Sequence, residues 1–99
     1  MHAKIRKRDG RLVKFNAEKI TNAIAKAGAA TGEFDLATAA KLTIKVLNLA
    51  EELFDDKITT VEEIQDIVEE VLLSSSYRRT AKAYIIYRDQ HARLREITN

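Results

Sequence analysis

The sequence predicts an α+β fold, a four-helix bundle capped by a small three-stranded β-sheet, and three observations carry that expectation. Two short alternating runs flank Asp9-Gly10, a strong hairpin signal. Four longer segments repeat apolar residues every three and four positions, as amphipathic helices do. Between the second and third of these lies Ile58-Thr59, short, β-branched and placed to add a third strand.

The elements follow in chain order within one domain, residues 1–99. The hairpin covers residues 3–15, and Asp9-Gly10 suits a type I′ turn, which needs positive φ at both central residues. Strand alternation puts Ile5 and Lys7 on one face, Arg6 and Arg8 on the other, and Val13 with Phe15 on one face of the return strand. Asn16 is a good N-cap for a helix over about 17–28, with Lys19 at its third position and Ile20, Ala23, Ile24 and Ala27 on one stripe. Gly28 to Gly32 end that helix. Asp35 caps a second helix over about 36–54, with Leu36, Ala39, Ala40, Thr43, Leu47, Ala50, Leu53 and Phe54 in its apolar repeat. Asp55-Asp56 turns the chain into a short strand over about 57–60. Thr60 then caps a third helix over about 61–74, and Glu63 completes a capping box. Serines 74–76 break it, and a fourth helix covers about 77–97, its connected face running from Ala81 and Tyr84 through Arg88 and His91 to Arg95.

Bulk properties narrow the function. At 99 residues, 45% apolar and 32% charged, the chain reads as one globular domain with a single core and no room for a large internal active site. The absence of cysteine removes disulfides, thiolate nucleophiles and cysteine-ligated zinc, and fits a cytoplasmic setting. No apolar run has the length of a membrane span or a signal peptide. His2 and His91 have no ligand spacing, the acidic run lacks EF-hand spacing, and there is no GxxxxGK[ST]. Serines 74–76 have no matched base, so the domain is not expected to be an enzyme.

The net charge of +2 hides an uneven distribution. Residues 1–20 hold seven Lys/Arg against Asp9 and Glu18, net +5; residues 51–70 hold nine acids against Lys57, net −8; residues 78–96 hold six Lys/Arg against Asp89 and Glu96, net +4. Such a pattern allows pairing within the chain, and equally allows the basic ends to meet around an anion. Lys7, Arg8 and Lys19 form either a phosphate cluster at a helix start or a solvated charged hairpin. Thr60 and Gln65 suit the polar edges of a base or sugar, or else a cap and a solvated amide. Tyr84, Tyr87, Arg88 and His91 suit base stacking and cation–π contact, or tyrosines that pack their rings and expose their hydroxyls.

Three stretches in order, "KRDGRLVKFNAEKI", "ITTVEEIQDIVEEVLL" and "TAKAYIIYRDQHARLR", resemble the ATP-cone domain, the nucleotide-binding regulatory module of ribonucleotide reductases, over about residues 3–97. The string "AYIIYR" looks closest to cones of anaerobic-type reductases and of a related transcriptional repressor. The resemblance implies a helical bundle under a three-stranded cap, with ATP or dATP bound between them and Mg2+ on the phosphates. It implies allosteric control of reductase activity through oligomeric state, with the reductase's catalytic domain or subunits and further copies of the chain as partners. By position, Ile5, Lys7 and Arg8 belong to the strand and turn that meet the nucleotide, and Asn16 and Lys19 to the start of the first helix. Thr60 and Gln65 match positions near base and sugar, and Arg88 and His91 the part of the fourth helix facing the same pocket. Val13 stands where some relatives carry an acid, and His91 where many carry lysine. The repressor's four-cysteine zinc ribbon has no counterpart here, which disfavours a complete repressor. Two other classes stay open: a nucleic-acid-binding domain, against which the −8 segment argues, and a helical interaction module without ligand.

Overall fold

The computed structural model describes residues 4–55 and 57–98. In chain order the elements are β1 (Lys4–Arg6), β2 (Leu12–Lys14), α1 (Ala17–Thr31), α2 (Leu36–Phe54), β3 (Thr59–Thr60), α3 (Val61–Ser74) and α4 (Arg78–Thr98). This is the expected α+β architecture of four helices and a three-stranded sheet. Residue 3 of the expected hairpin, Asp56 of the expected turn and His2 lie outside the described residues.

The sheet order is β2-β1-β3. β1 pairs antiparallel with β2, Ile5 opposite Val13, and parallel with β3, Ile5 beside Thr59. The turn differs from a type I′ hairpin. Lys7 N–H donates to the Arg11 carbonyl at 2.8 Å and Gly10 N–H to the Lys7 carbonyl at 3.0 Å, while Gly10 sits at φ 89° and Asp9 stays at negative φ. The loop is therefore three residues long, a tight turn closed by a left-handed glycine. Only Gly10 carries the positive φ, and Asp9 holds the turn through its side chain instead. Its carboxylate accepts from Arg11 N at 3.0 Å and Arg11 Nε at 2.7 Å. The Arg11 backbone N–H, then its guanidinium, hold the Asp9 carboxyl below its ordinary value.

α1 also departs from expectation. It runs past Gly28 to Thr31 and ends at Gly32, whose φ of 74° makes the left-handed cap, with Glu33 N–H reaching back to the Gly28 carbonyl. Gly28 is a helix-interior glycine because the Phe34 ring lies against its Cα, where a Cβ would stand. Phe34 in turn meets Tyr77 edge-on, ring centres 4.8 Å apart.

The four helices form a square: α1 lies against α2 and α4, and α3 against the same two. Ile24, Val46, Leu72, Ala39 and Ala50 fill its centre with no exposed surface. Each large aliphatic there contributes about 1.5–3 kcal/mol by burial. On α2 the buried stripe is Ala39, Leu42, Thr43, Val46 and Ala50, while Leu36, Ala40 and Leu53 face outward. That helix is apolar on much of its circumference, so its periodicity does not say which stripe its neighbours cover. No helix among the described residues is long and apolar enough to cross a membrane.

Two polar devices fix the helix ends. Thr60 Oγ1 accepts from Glu63 N at 3.0 Å while the Glu63 carboxylate accepts from Thr60 N at 2.9 Å, the expected capping box. At α4 the cap comes from elsewhere in the chain: Glu33, on the α1–α2 connection, accepts from Thr80 N at 2.6 Å and Thr80 Oγ1 at 2.8 Å. Thr80 also shares a hydroxyl–hydroxyl bond of 2.8 Å with Thr31. Burial alone would raise the Glu33 carboxyl; the bonds from Thr80 and Arg79 outweigh it and lower it from its ordinary 4.5.

Candidate functional site

Between the sheet and the bundle lies a cleft of about 190 Å³. Ile5, Lys7, Val13, Lys14 and Phe15 wall it from the hairpin, Asn16, Lys19, Ile20 and Ala23 from the start of α1, Val61, Ile64, Gln65 and Val68 from α3, and Tyr84 from α4. The arrangement follows from local rules. Alternation turns Ile5, Lys7, Val13 and Phe15 to the face of the hairpin that covers the bundle. Helical spacing lines up Lys19 with Ala23, and Ile64 with Val68. Asn16 Oδ1 accepts from Glu18 N at 3.0 Å, which fixes the direction in which α1 leaves the hairpin.

The wall is chemically simple. It is largely aliphatic and aromatic, it carries three lysines, and no aspartate or glutamate among the described residues lines it. No ion pair of Lys7, Lys14 or Lys19 occurs among the described residues. Burial pushes the Tyr84 hydroxyl up to about 12, so it stays protonated at the edge of the cleft. A flat apolar group with an attached polyanion suits these walls, because apolar surface and cations without a close ion pair are both satisfied by such a ligand.

Five of the hairpin's six basic residues, Arg6, Lys7, Arg8, Arg11 and Lys14, divide by partner. Arg6 Nη1 donates to the Gly10 carbonyl at 2.9 Å, and Arg11 pairs with Asp9 at 2.7 Å. Arg8 Nε stands 3.2 Å from Glu62 Oε2, with the two side chains 41% and 36% exposed. Lys7 and Lys14 remain for the cleft. The acidic stretch seen in the sequence is likewise divided: one face of α3, Glu62, Asp66 and Glu69, answers the basic ends of the chain.

Of the residues expected at a site, Ile5, Lys7, Asn16, Lys19 and Gln65 come together in this cleft. Thr60 stands at the base of α3 as its cap, and Arg8 stands outside on Glu62. Arg88 also lies off the wall. Its Nη1 donates to Asp66 at 2.8 Å and Glu69 at 2.7 Å, and its Nη2 to the Glu62 carbonyl at 3.2 Å. Burial would weaken the Arg88 charge, and the two carboxylates outweigh it and raise its pKa above the ordinary value. His91 is on the outer face of α4, its ring 4.1 Å from that of Tyr87, over which Lys26 Nζ sits at 5.9 Å. The site residues that the sequence does not single out are mostly apolar. Alternation in the hairpin and the three-four spacing of Ile20–Ala23 and Ile64–Val68 are the available signals for them. Lys14 has a misleading one, since alternation sets it on the opposite face from Val13 and Phe15.

The family model described as the ATP cone domain matches residues 3–93. Among relatives, the vitamin B12-dependent ribonucleoside-diphosphate reductase of Thermoplasma acidophilum is 40% identical over 95 residues, covering 91% of this chain and 12% of that protein. The ribonucleoside-diphosphate reductase subunit alpha of Chlamydia pneumoniae is 38% identical over 96 residues, covering 90% and 9%. The anaerobic ribonucleoside-triphosphate reductase of Salmonella typhimurium is 37% identical over 87 residues, covering 85% and 11%. The chain spans about a tenth of the length of these relatives. On the match over nearly its whole length, the chain belongs to the ATP-cone domain family, the nucleotide-binding regulatory domains of ribonucleotide reductases.

Proposed function

We propose that this domain binds ATP or dATP in the cleft under the hairpin and controls the overall activity of a ribonucleotide reductase in the cytoplasm. The observation that carries the reading is the wall itself: apolar surface for a base, with Lys7, Lys14 and Lys19 around it and no carboxylate among the described residues on that wall. Ile5 and the aliphatic residues of α3 would hold the base, Asn16 the approach to α1, and the lysines the phosphates. Arg8 can join them, because a half-exposed pair such as Arg8–Glu62 is worth at most about 1 kcal/mol and yields to a more highly charged anion. With no carboxylate on the described wall, Mg2+ would be carried on the phosphates, where it offsets their mutual repulsion. Thr60 sets the start of α3, and with it the position of Gln65. Arg88 locks α3 to α4 behind the cleft, and His91 faces away from it.

Control is a matter of linkage. A nucleotide shifts an assembly equilibrium only by its differential affinity for the two states, about 1–3 kcal/mol in ordinary allosteric coupling. Here the docked hairpin joins α1 and α3 through the ligand, so the bound and free domains would present different surfaces to the catalytic part of the reductase and to further copies of the chain. Thermal unfolding with Mg2+ and ATP, dATP, GTP or no nucleotide tests the reading. At about 100 times the dissociation constant, one site adds roughly 2.7 kcal/mol. For a domain of this size that is roughly 10–20 °C in Tm. The Lys7→Gln/Lys19→Gln double variant should keep its helical content and lose most of the shift. Equal shifts in the wild type and the double variant would refute the phosphate assignment.

A further inference from the structure

Among the polar atoms described on the cleft wall, one is buried without a partner. Gln65 Oε1 has almost no exposed surface and accepts no hydrogen bond. The other side-chain acceptor amide is occupied, since Asn16 Oδ1 takes the Glu18 N–H. The lysines offer only donors. Gln65 follows Ile64 on α3, and Val61 and Val68, one turn to either side, line the same cleft. A turn of the Gln65 side chain about its own torsions brings the unused acceptor out among the apolar groups that suit a base.

We propose that the Gln65 side-chain amide selects the nucleotide by its base, with Oε1 accepting from the exocyclic amino group of adenine. This rests on the reading of the cleft as a nucleotide site. Phosphates present only acceptors at this oxygen when ionised, so Gln65 Oε1 cannot be one of their ligands. A ribose hydroxyl is a donor, but the sugar lies between base and phosphates and therefore nearer the lysines. The amide also carries a donor, Nε2, beside its acceptor, and that pair matches an adenine amino group and the ring nitrogen next to it, the pairing by which Asn and Gln read adenine elsewhere. A buried acceptor left empty is costly, whereas a ligand that fills it recovers that cost on binding.

The test is calorimetric titration of the 99-residue chain with the magnesium complexes of ATP, dATP and purine riboside triphosphate, which has hydrogen in place of the amino group. Wild type should bind ATP about tenfold or more tightly than the purine analogue. Gln65→Met, similar in size and a good helix former, should bring that ratio close to one while leaving the ratio of ATP to dATP unchanged. Gln65→Glu, which keeps an acceptor, should retain the preference for the amino group. An unaltered ATP-to-purine ratio in Gln65→Met overturns the assignment alone, as does a change confined to the ATP-to-dATP ratio. Failure of the wild type to bind any of the three overturns the nucleotide reading of the cleft and the assignment with it. Circular dichroism of each variant separates these results from a folding defect.

Discussion

Replacing Gly28 by alanine sets two well-measured effects against each other. In a helix interior, alanine is favoured over glycine by about 1 kcal/mol. Position 28 is in the interior of α1, so propensity alone predicts a more stable protein. The structure predicts the reverse. A Cβ there would come within 3.0 Å of three carbons of the Phe34 ring, closer than real Cβ atoms approach their neighbours. The ring cannot simply swing aside, since it packs edge-on to Tyr77 and Phe34 belongs to the rim of the core. Forcing extra volume into such a contact costs about 1–3 kcal/mol. The net loss is then up to about 2 kcal/mol, or a fall in Tm of up to roughly 15 °C. Thermal unfolding of four proteins gives the answer: wild type, Gly28→Ala, Phe34→Ala and the double variant. With the ring removed, Gly28→Ala should raise Tm by roughly 4–8 °C, the propensity gain reappearing once the obstacle is gone. A Gly28→Ala protein more stable than wild type would refute the reasoning, and so would equal destabilisation with and without Phe34.

Other consequences can be checked in the same way. Thr60→Ala removes the cap of α3 and should cost about 1 kcal/mol, a Tm drop of roughly 4–8 °C, read by urea or thermal unfolding. Arg88→Met should cost about 1–3 kcal/mol, because Glu69 is left part-buried without its guanidinium; ATP affinity should fall much less than in Lys7→Gln/Lys19→Gln, since Arg88 is off the cleft wall. Glu33→Gln should lower Tm at pH 7. The Glu33 carboxyl is held below its ordinary 4.5, so its contribution is present above that value and is lost as pH falls through the lower folded value; Tm curves of the two proteins should converge on acidification.

The elements most legible in the sequence are those with local chemistry. The Thr60–Glu63 box, the Asn16 and Asp35 caps and the Ser74–Ser76 break all depend on residues within a few positions of one another. Lys7, Lys19 and Gln65 are legible as candidates because motif and resemblance agree on them, and they do share one cleft. What escapes depends on neighbours distant in the chain. Gly28 reads as a helix end until Phe34 is seen against it. Glu33 reads as a loop residue until Thr80 is seen to need a cap. Arg88 and the α3 carboxylates could pair or not, and periodicity does not say which face of α3 meets α4. Tyr84 and Tyr87 look alike on the helix, yet one is in the core and the other lies tilted against His91 in the open.

The parallel pairing of β1 with β3 has a consequence for the order in which the domain assembles. The hairpin and the caps of α1, α2 and α3 need only nearby residues, whereas Ile5 meets Thr59 only after the intervening helices have folded back. Closing so long a loop carries the largest entropic cost of any sheet contact here, and contacts of that kind form slowly. With only two positions paired to β3, the front wall of the cleft should therefore dock late and open early, as a small cooperative unit less stable than the bundle. Amide hydrogens of β1 and β3 should exchange faster than those of the buried helices, and a ligand that bridges hairpin and bundle should slow them selectively. Uniform exchange across cap and bundle would show instead that the two close as one.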